Sequence, residues 1–158
     1  MDNTFPAKRF QLSQGTARPV GALLHLERTI ELDPRLEHLV HLRASQVNGC
    51  AFCIDMHWKE ARAAGESEER LYSLDAWRES PLYDERERAA LQLTEAVTFV
   101  SDGQVPDEVW DRARAAFDDE DELVQLVFAI TAINAFNRLA ITARVEPGRY
   151  QAGMLEAA

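Results

Sequence analysis

Sulfur is scarce in this chain: 158 residues hold two cysteines and three methionines. So few cysteines exclude a disulfide scaffold, and at 46% hydrophobic residues none is needed, because the chain has the apolar content to build one core unaided. Basic clusters are missing too. With 17 Lys and Arg against 27 Asp and Glu the net charge is -10, which argues against nucleic-acid backbones and anionic membranes and leaves small molecules and other proteins as partners. No period-two alternation of β-branched residues marks a strand. No apolar run approaches the roughly 18 residues of a membrane span. The opening MDNTFPAKRF lacks the pattern of a secretory signal, so a cytoplasmic location is expected. Repeats, low-complexity tracts and long linkers are also absent, which predicts a single domain over 1–158 with residues 1–18 irregular.

Helical signals fill the space that strands leave. Pro19 to Ile30 can form a helix with proline in its first turn, and Asp33-Pro34 supplies an N-cap followed by a first-turn proline. Leu36, Leu39, Val40 and Val47 mark an apolar stripe on the next helix, which should stop at Asn48-Gly49. A third helix is expected from Cys50 to Ala64. Ser67 is an N-cap for a fourth, with Arg70 where a capping box would place Glu. A long helix follows from Asp84 to Val100, a short one from Val105-Pro106-Asp107 to Phe117, and a last one after the acidic DDEDE turn. Negative charge is favoured at that helix start. The last helix is apolar nearly all round, which makes it central to the fold or to a subunit interface. The fold class is therefore all-α, a single bundle of six or seven helices.

Both cysteines fall within NGCAFCIDMH, as Cys50 and Cys53, with His57 four residues further on. At about 100° per residue these three side chains share one stripe of a helix, continued by Ile54, Ala61 and Ala64. A thiol in the first helical turn meets the positive end of the dipole and unpaired amides, so its pKa falls and thiolate becomes available. Side chains three apart can close a disulfide. His57, one turn beyond Cys53, can take its proton and return it to a leaving group. Such a trio fits peroxide reduction: one thiolate attacks the O–O bond, an alcohol leaves, and the second thiol condenses with the sulfenic acid. Structural zinc would want a fourth ligand beside this Cys-Cys-His set, and the bland alternative is two inert buried cysteines beside a satisfied core histidine. Neither a metal nor a cofactor is expected.

The stretches HLRASQVNGCAFCIDMHWKEARAAGE, RLYSLDAWRESPLYDERERAALQLTEAVT and INAFNRLAI resemble the AhpD-like alkylhydroperoxidases of the carboxymuconolactone decarboxylase family, over about Leu36 to Arg144. The resemblance implies an all-helical fold, homo-oligomers that are trimers or hexamers, and reduction of organic hydroperoxides through the CxxC pair. It also implies Cys53 as the peroxidatic cysteine, Cys50 as the resolving one, His57 as a proton relay, and a thiol or lipoyl-type protein as reductant. Family decarboxylases lack the cysteine pair, so decarboxylation is the weaker inference.

In the family a relay glutamate stands twelve residues before the first cysteine; here that position is His38, with Glu37 beside it, pointing about 100° away. Glu95, set between Leu91 and Phe99 on the long helix, is a carboxylate in apolar company, either a replacement relay acid or a structural acid paired with an arginine. Asn134, Asn137 and Arg138 interrupt the last helix and are expected to fix register between helices. His25 and His41 have no constellation and are expected at the surface or at caps, and Trp58, Trp77 and Trp110 as anchors of core or interface. Two rivals to the peroxidase remain open: a redox-responsive dithiol sensor and a protein disulfide oxidoreductase.

Overall fold

The structure, a computed structural model, describes residues 5–11 and 17–154. Among them are seven α-helices and one 3₁₀ turn, with no strand: α1 (Ala17–Arg28), α2 (Pro34–Asn48), α3 (Ala51–Ala63), α4 (Glu68–Ser73), the turn Leu74–Ala76, α5 (Glu85–Thr98), α6 (Asp107–Ala116) and α7 (Glu120–Ala143). The expected bundle is thus observed. Part of the irregular start expected over 1–18 lies outside the described residues; residues 5–11 are irregular, but Ala17 and Arg18 are already helical.

Local chemistry sets the helix ends. Asp33 caps α2 by accepting from the Arg35 amide at 2.9 Å, and Pro34 follows as a first-turn residue. Gly49 ends α2 in the left-handed region at φ +67, where a side chain would be strained, and the chain reverses at once into α3. Asp84 and Glu87 form a reciprocal capping box at α5. Ser67 caps α4 through the Arg70 amide at 3.2 Å, the partial cap read from the sequence.

Helix α2 is the spine. One side, through Leu36 and Val40, joins a core with Leu93 of α5, Val109 and Ala113 of α6, and Leu126 and Ile130 of α7. The other side, through Leu39 and Leu42, joins Ala61, Leu71, Leu74, Trp77 and Leu91. By length and composition α7 is long and apolar enough to cross a membrane, contrary to the reading of no such run. Asn134 and Asn137 interrupt the apolar run, but alanines and branched residues keep its average apolar. Half of its apolar stretch is buried within the fold.

Those asparagines are fully engaged. Asn48 donates to Asn134 at 3.0 Å and to Asn137 at 2.8 Å, Asn137 donates to Ser45 at 3.0 Å, and Asn134 donates to Thr98 at 3.0 Å. One buried amide network thereby locks the register of α2, α5 and α7, the structural role expected of these residues. Asn137→Ala should cost about 1–3 kcal/mol of unfolding free energy, because it leaves Ser45 and Asn48 short of buried partners; urea denaturation with an unchanged m-value would measure it.

Candidate active site

Cys50 is the N-cap of α3 rather than its first helical residue, with extended backbone at φ -84 and ψ 91. Its Sγ accepts from the Cys53 amide at 3.4 Å, and the two cysteines form a disulfide across a Cα–Cα separation of 5.3 Å. Both are 2% exposed and pack with Ala140 of α7. The helix N-terminus meets the sulfur pair as the sequence implied, although the sulfurs meet through a cap rather than along a helical stripe. Of the residues expected to continue the stripe, Ala61 is buried but Ala64 is exposed.

Cys53 and His57 line one cavity of about 610 Å³, while Cys50 lies behind it against Ala140. The walls are apolar: Val20 and Leu24 of α1, Phe52 of α3, Phe136 and Leu139 of α7, and Phe10 from the N-terminal segment. The segment after α7 closes one side. Asp55 accepts from the Gly148 amide at 3.0 Å, Lys59 bonds Asp55 at 2.8 Å and the Tyr150 carbonyl at 3.0 Å, and Glu60 accepts from the Gly153 amide at 3.0 Å. On the other side the Arg9 amide donates to the Ala143 carbonyl at 3.1 Å.

Behind His57 lies a cluster that sequence spacing did not reveal. Its ring stands 4.9 Å from that of His41, edge-on. His41 is 2% exposed, not the surface or cap residue expected. Its Nδ1 faces Glu27 of α1 at 3.5 Å, and its Nε2 faces Glu37, one turn back on α2, at 3.9 Å. Glu27 itself lines the cavity. Glu27 Oε2, His41 Nε2 and His57 Nε2 are buried without a hydrogen-bond partner.

Burial drives all four groups toward their neutral forms. It raises both carboxyls to about 7, helped at Glu27 by the neighbouring Glu37. It lowers His41 to about 3 and His57 well below the usual imidazole value, with nearby histidines adding to the effect. Glu27, Glu37 and His41 offer ligand atoms within 4.8 Å of one another, close enough for a metal ion. Yet His41 turns a different nitrogen to each carboxyl, which suits passing protons better than converging on one ion.

The other expected residues are dispersed. His38 is half-buried, its pKa lowered by burial against the opposing pull of Glu60 and Glu66, and it is not among the cavity-lining residues. Glu95 is a correction. It is gripped by Arg43 at 2.8 Å, Arg78 at 2.6 Å and the Trp77 indole at 2.8 Å, beside a different pocket. Although burial opposes ionisation, the bonds from Arg78, Trp77 and Arg43 hold its carboxyl below the usual range, so it has no proton to lend. It is the arginine-paired structural acid.

The signal for His41 is its setting: α2 is buried on nearly all sides from Leu39 to Ser45, and a histidine inside such a run needs a reason. Glu27 carries no comparable local signal, since its partners come from α2.

The fold is that of the AhpD-like helical proteins, and the comparisons agree with the geometry. The carboxymuconolactone decarboxylase family model matches residues 21–96. An uncharacterized protein of Bacillus subtilis, YdfG, is 48% identical over 103 residues, 65% of this chain and 69% of that protein. The crystal structure of a protein of unknown function from Agrobacterium tumefaciens, proposed to be the antioxidant defence protein AhpD, superposes with a TM-score of 0.85 at 40% identity, covering 90% of this chain and 99% of that one. An alkylhydroperoxidase AhpD core, an uncharacterized peroxidase-related protein from Ralstonia eutropha, shares the fold at a TM-score of 0.74 and 13% identity, over 92% of this chain and 95% of its own. This chain belongs to the carboxymuconolactone decarboxylase family.

Two measurements follow from the carboxyls. Glu95→Gln should lower stability by about 1–3 kcal/mol, since it removes the charge that the largely buried Arg43 and the Trp77 indole bond, while thiol oxidation in the folded protein stays at the parent rate. For Glu27 the sign is opposite. Its folded-state pKa of about 7 exceeds the reference 4.5, so the native state holds the extra proton between those values and its stability falls as pH rises through that window. Glu27→Gln should therefore be more stable than the parent by up to about 3 kcal/mol at pH 8, with no difference near pH 4, read by urea denaturation across pH.

Proposed function

We propose that this protein is a thiol-dependent peroxidase that reduces organic hydroperoxides through Cys53 and Cys50. One observation carries the reading: a disulfide-forming cysteine lines an apolar cavity of about 610 Å³, beside an imidazole with an unpartnered buried nitrogen. A cavity of that size accommodates a small organic molecule, and its walls favour an apolar body over hydrogen peroxide alone.

In the reduced protein His57, neutral because buried, takes the proton of Cys53. The thiolate attacks the nearer peroxide oxygen; the S–O bond forms, the O–O bond breaks, and the alkoxide leaves to be protonated. Cys50 then attacks the sulfenic sulfur, closing the S–S bond and releasing water. Two thiols are oxidised as one hydroperoxide becomes an alcohol and water. A slim thiol or lipoyl-type donor entering the cavity restores the pair at Cys53, and the need for that donor fits a reducing cytoplasm. Protein disulfide exchange is disfavoured, because both sulfurs are 2% exposed. A homo-oligomer, trimer or hexamer, accords with Val124, Phe128 and Ile141 exposed along α7.

Family membership and the peroxidase-related descriptions of the structural neighbours support this reading. The test is chemical trapping. Cys50→Ser treated with one equivalent of cumene hydroperoxide should accumulate a sulfenic acid on Cys53 alone, seen by mass spectrometry of a dimedone adduct. The parent should instead close the disulfide and turn over with dithiothreitol. Stoichiometric oxidation followed by arrest would favour the sensor, and an unmodified Cys53 would sink the peroxidase.

A further inference from the structure

The peroxidase reading leaves one proton unassigned, the one that the departing alkoxide needs. His57 has just accepted the thiol proton, and a buried imidazolium is a costly place to keep it. His38 is not among the cavity-lining residues, and Glu95 is ionised by its arginines in another pocket. Of the carboxyl groups among the described residues, one lines the cavity with Cys53 and His57: Glu27, from the last turn of α1.

We propose that Glu27 is the acid that protonates the leaving alkoxide, and that His41 returns a proton to it. Two observations beyond its position carry this. Glu27 Oε2 is buried and bonded to nothing, although a carboxyl oxygen in such a place ordinarily has a partner. Its Oε1 faces His41 Nδ1 at 3.5 Å, and the His41 ring stands 4.9 Å from His57. Each nitrogen–oxygen gap around His41 needs a closing movement of about 1 Å or less to become a hydrogen bond.

The proton balance then closes inside the protein. The Cys53 proton goes to His57. As the O–O bond breaks, the Glu27 carboxyl gives its proton to the alkoxide, and an alcohol leaves. His57 hands its proton to His41, and His41 passes one to the Glu27 carboxylate. Glu37 faces His41 Nε2 at 3.9 Å from the other side of the ring. The anchor of this arrangement is the segment after α1, where the Glu31 amide donates to Gln125 of α7 at 3.1 Å.

The charged and titratable groups near Glu27 come from several elements: Lys8 of the N-terminal segment and His57 of α3 line the same cavity, His41 and Glu37 of α2 act on it directly, and His38 of α2 acts on both histidines. On α7 the main chain of Ala129 hydrogen-bonds the ring of His41. Among the described residues no arginine grips the carboxyl, and burial raises its pKa to about 7, so a good share of it carries a proton near neutral pH.

This inference rests on the peroxidase reading, and leaving-group chemistry separates the two. An alkoxide is a strong base and needs the proton; the carboxylate released from a peroxy acid does not. Oxidation of reduced protein by cumene hydroperoxide and by 3-chloroperbenzoic acid would be followed by stopped flow for the parent and Glu27→Gln. Glu27→Gln should lose about 100-fold against cumene hydroperoxide, the scale of a general acid. It should keep nearly the parent rate against the peroxy acid, which also shows that the variant folds. The parent rate with cumene hydroperoxide should fall as pH rises past about 7, and this limb should vanish in the variant. Equal losses on both oxidants, or no loss on either, would overturn the role of Glu27 while leaving the peroxidase intact. Inertness of the parent toward both would overturn the peroxidase and this inference with it.

Discussion

A single left-handed residue holds the site together. Gly49, at φ +67, ends α2 and turns the chain directly into α3, so that Cys50 becomes a helix cap and not a helical residue. From that turn the Cys53 amide points at the Cys50 sulfur, His57 follows one turn along the same helix, and α2 returns His41 to stand against it. The network of Asn48, Asn134 and Asn137 begins one residue before the turn and ties it to α7. This corner, pinned from both sides, sets two sulfurs in reach of each other and one of them in the wall of the cavity, which is what the proposed peroxide chemistry needs.

The acidic composition hides a division of labour among the carboxyls. Many are spent on arginines that stitch irregular chain to helices. Arg70 pairs with Glu66 at 3.0 Å and with Glu87, and Arg88 donates to the carbonyls of Arg78, Ser80 and Tyr83, which fixes the stretch between α4 and α5. Arg43 and Arg78 converge on Glu95. The carboxyls near the sulfur pair are treated differently: Glu27 and Glu37 face an imidazole and no arginine.

What the sequence disclosed follows from how local each signal is. Helix ends set by Asp33, Gly49, Ser67, Asp84 and Pro106 were readable because caps and turns act over three or four residues. Cys50, Cys53 and His57 were readable for the same reason. Glu95 stayed between two roles because its partners, Arg43, Trp77 and Arg78, lie 52, 18 and 17 residues away and only folding brings them together. His41 and Glu27 were missed for the converse reason: α1 must fold back across α2 before the imidazole and the carboxyl meet.

The contrast between Glu95 and Glu27 shows why burial alone could not assign the acid. Both are glutamates on helices, both are partly withdrawn from water, and in both desolvation favours the protonated form. At Glu95 three donors supply bonds that only a carboxylate can accept in full, and they outweigh desolvation. At Glu27 the neighbour is a neutral imidazole and the second oxygen has no donor, so desolvation prevails. Proton transfer requires a group that spends time in both states near neutral pH, and a carboxyl held by two guanidinium groups does not. The absence of an arginine beside Glu27 is therefore the feature that suits it to chemistry, and the same absence is what makes the site a source of instability above neutral pH.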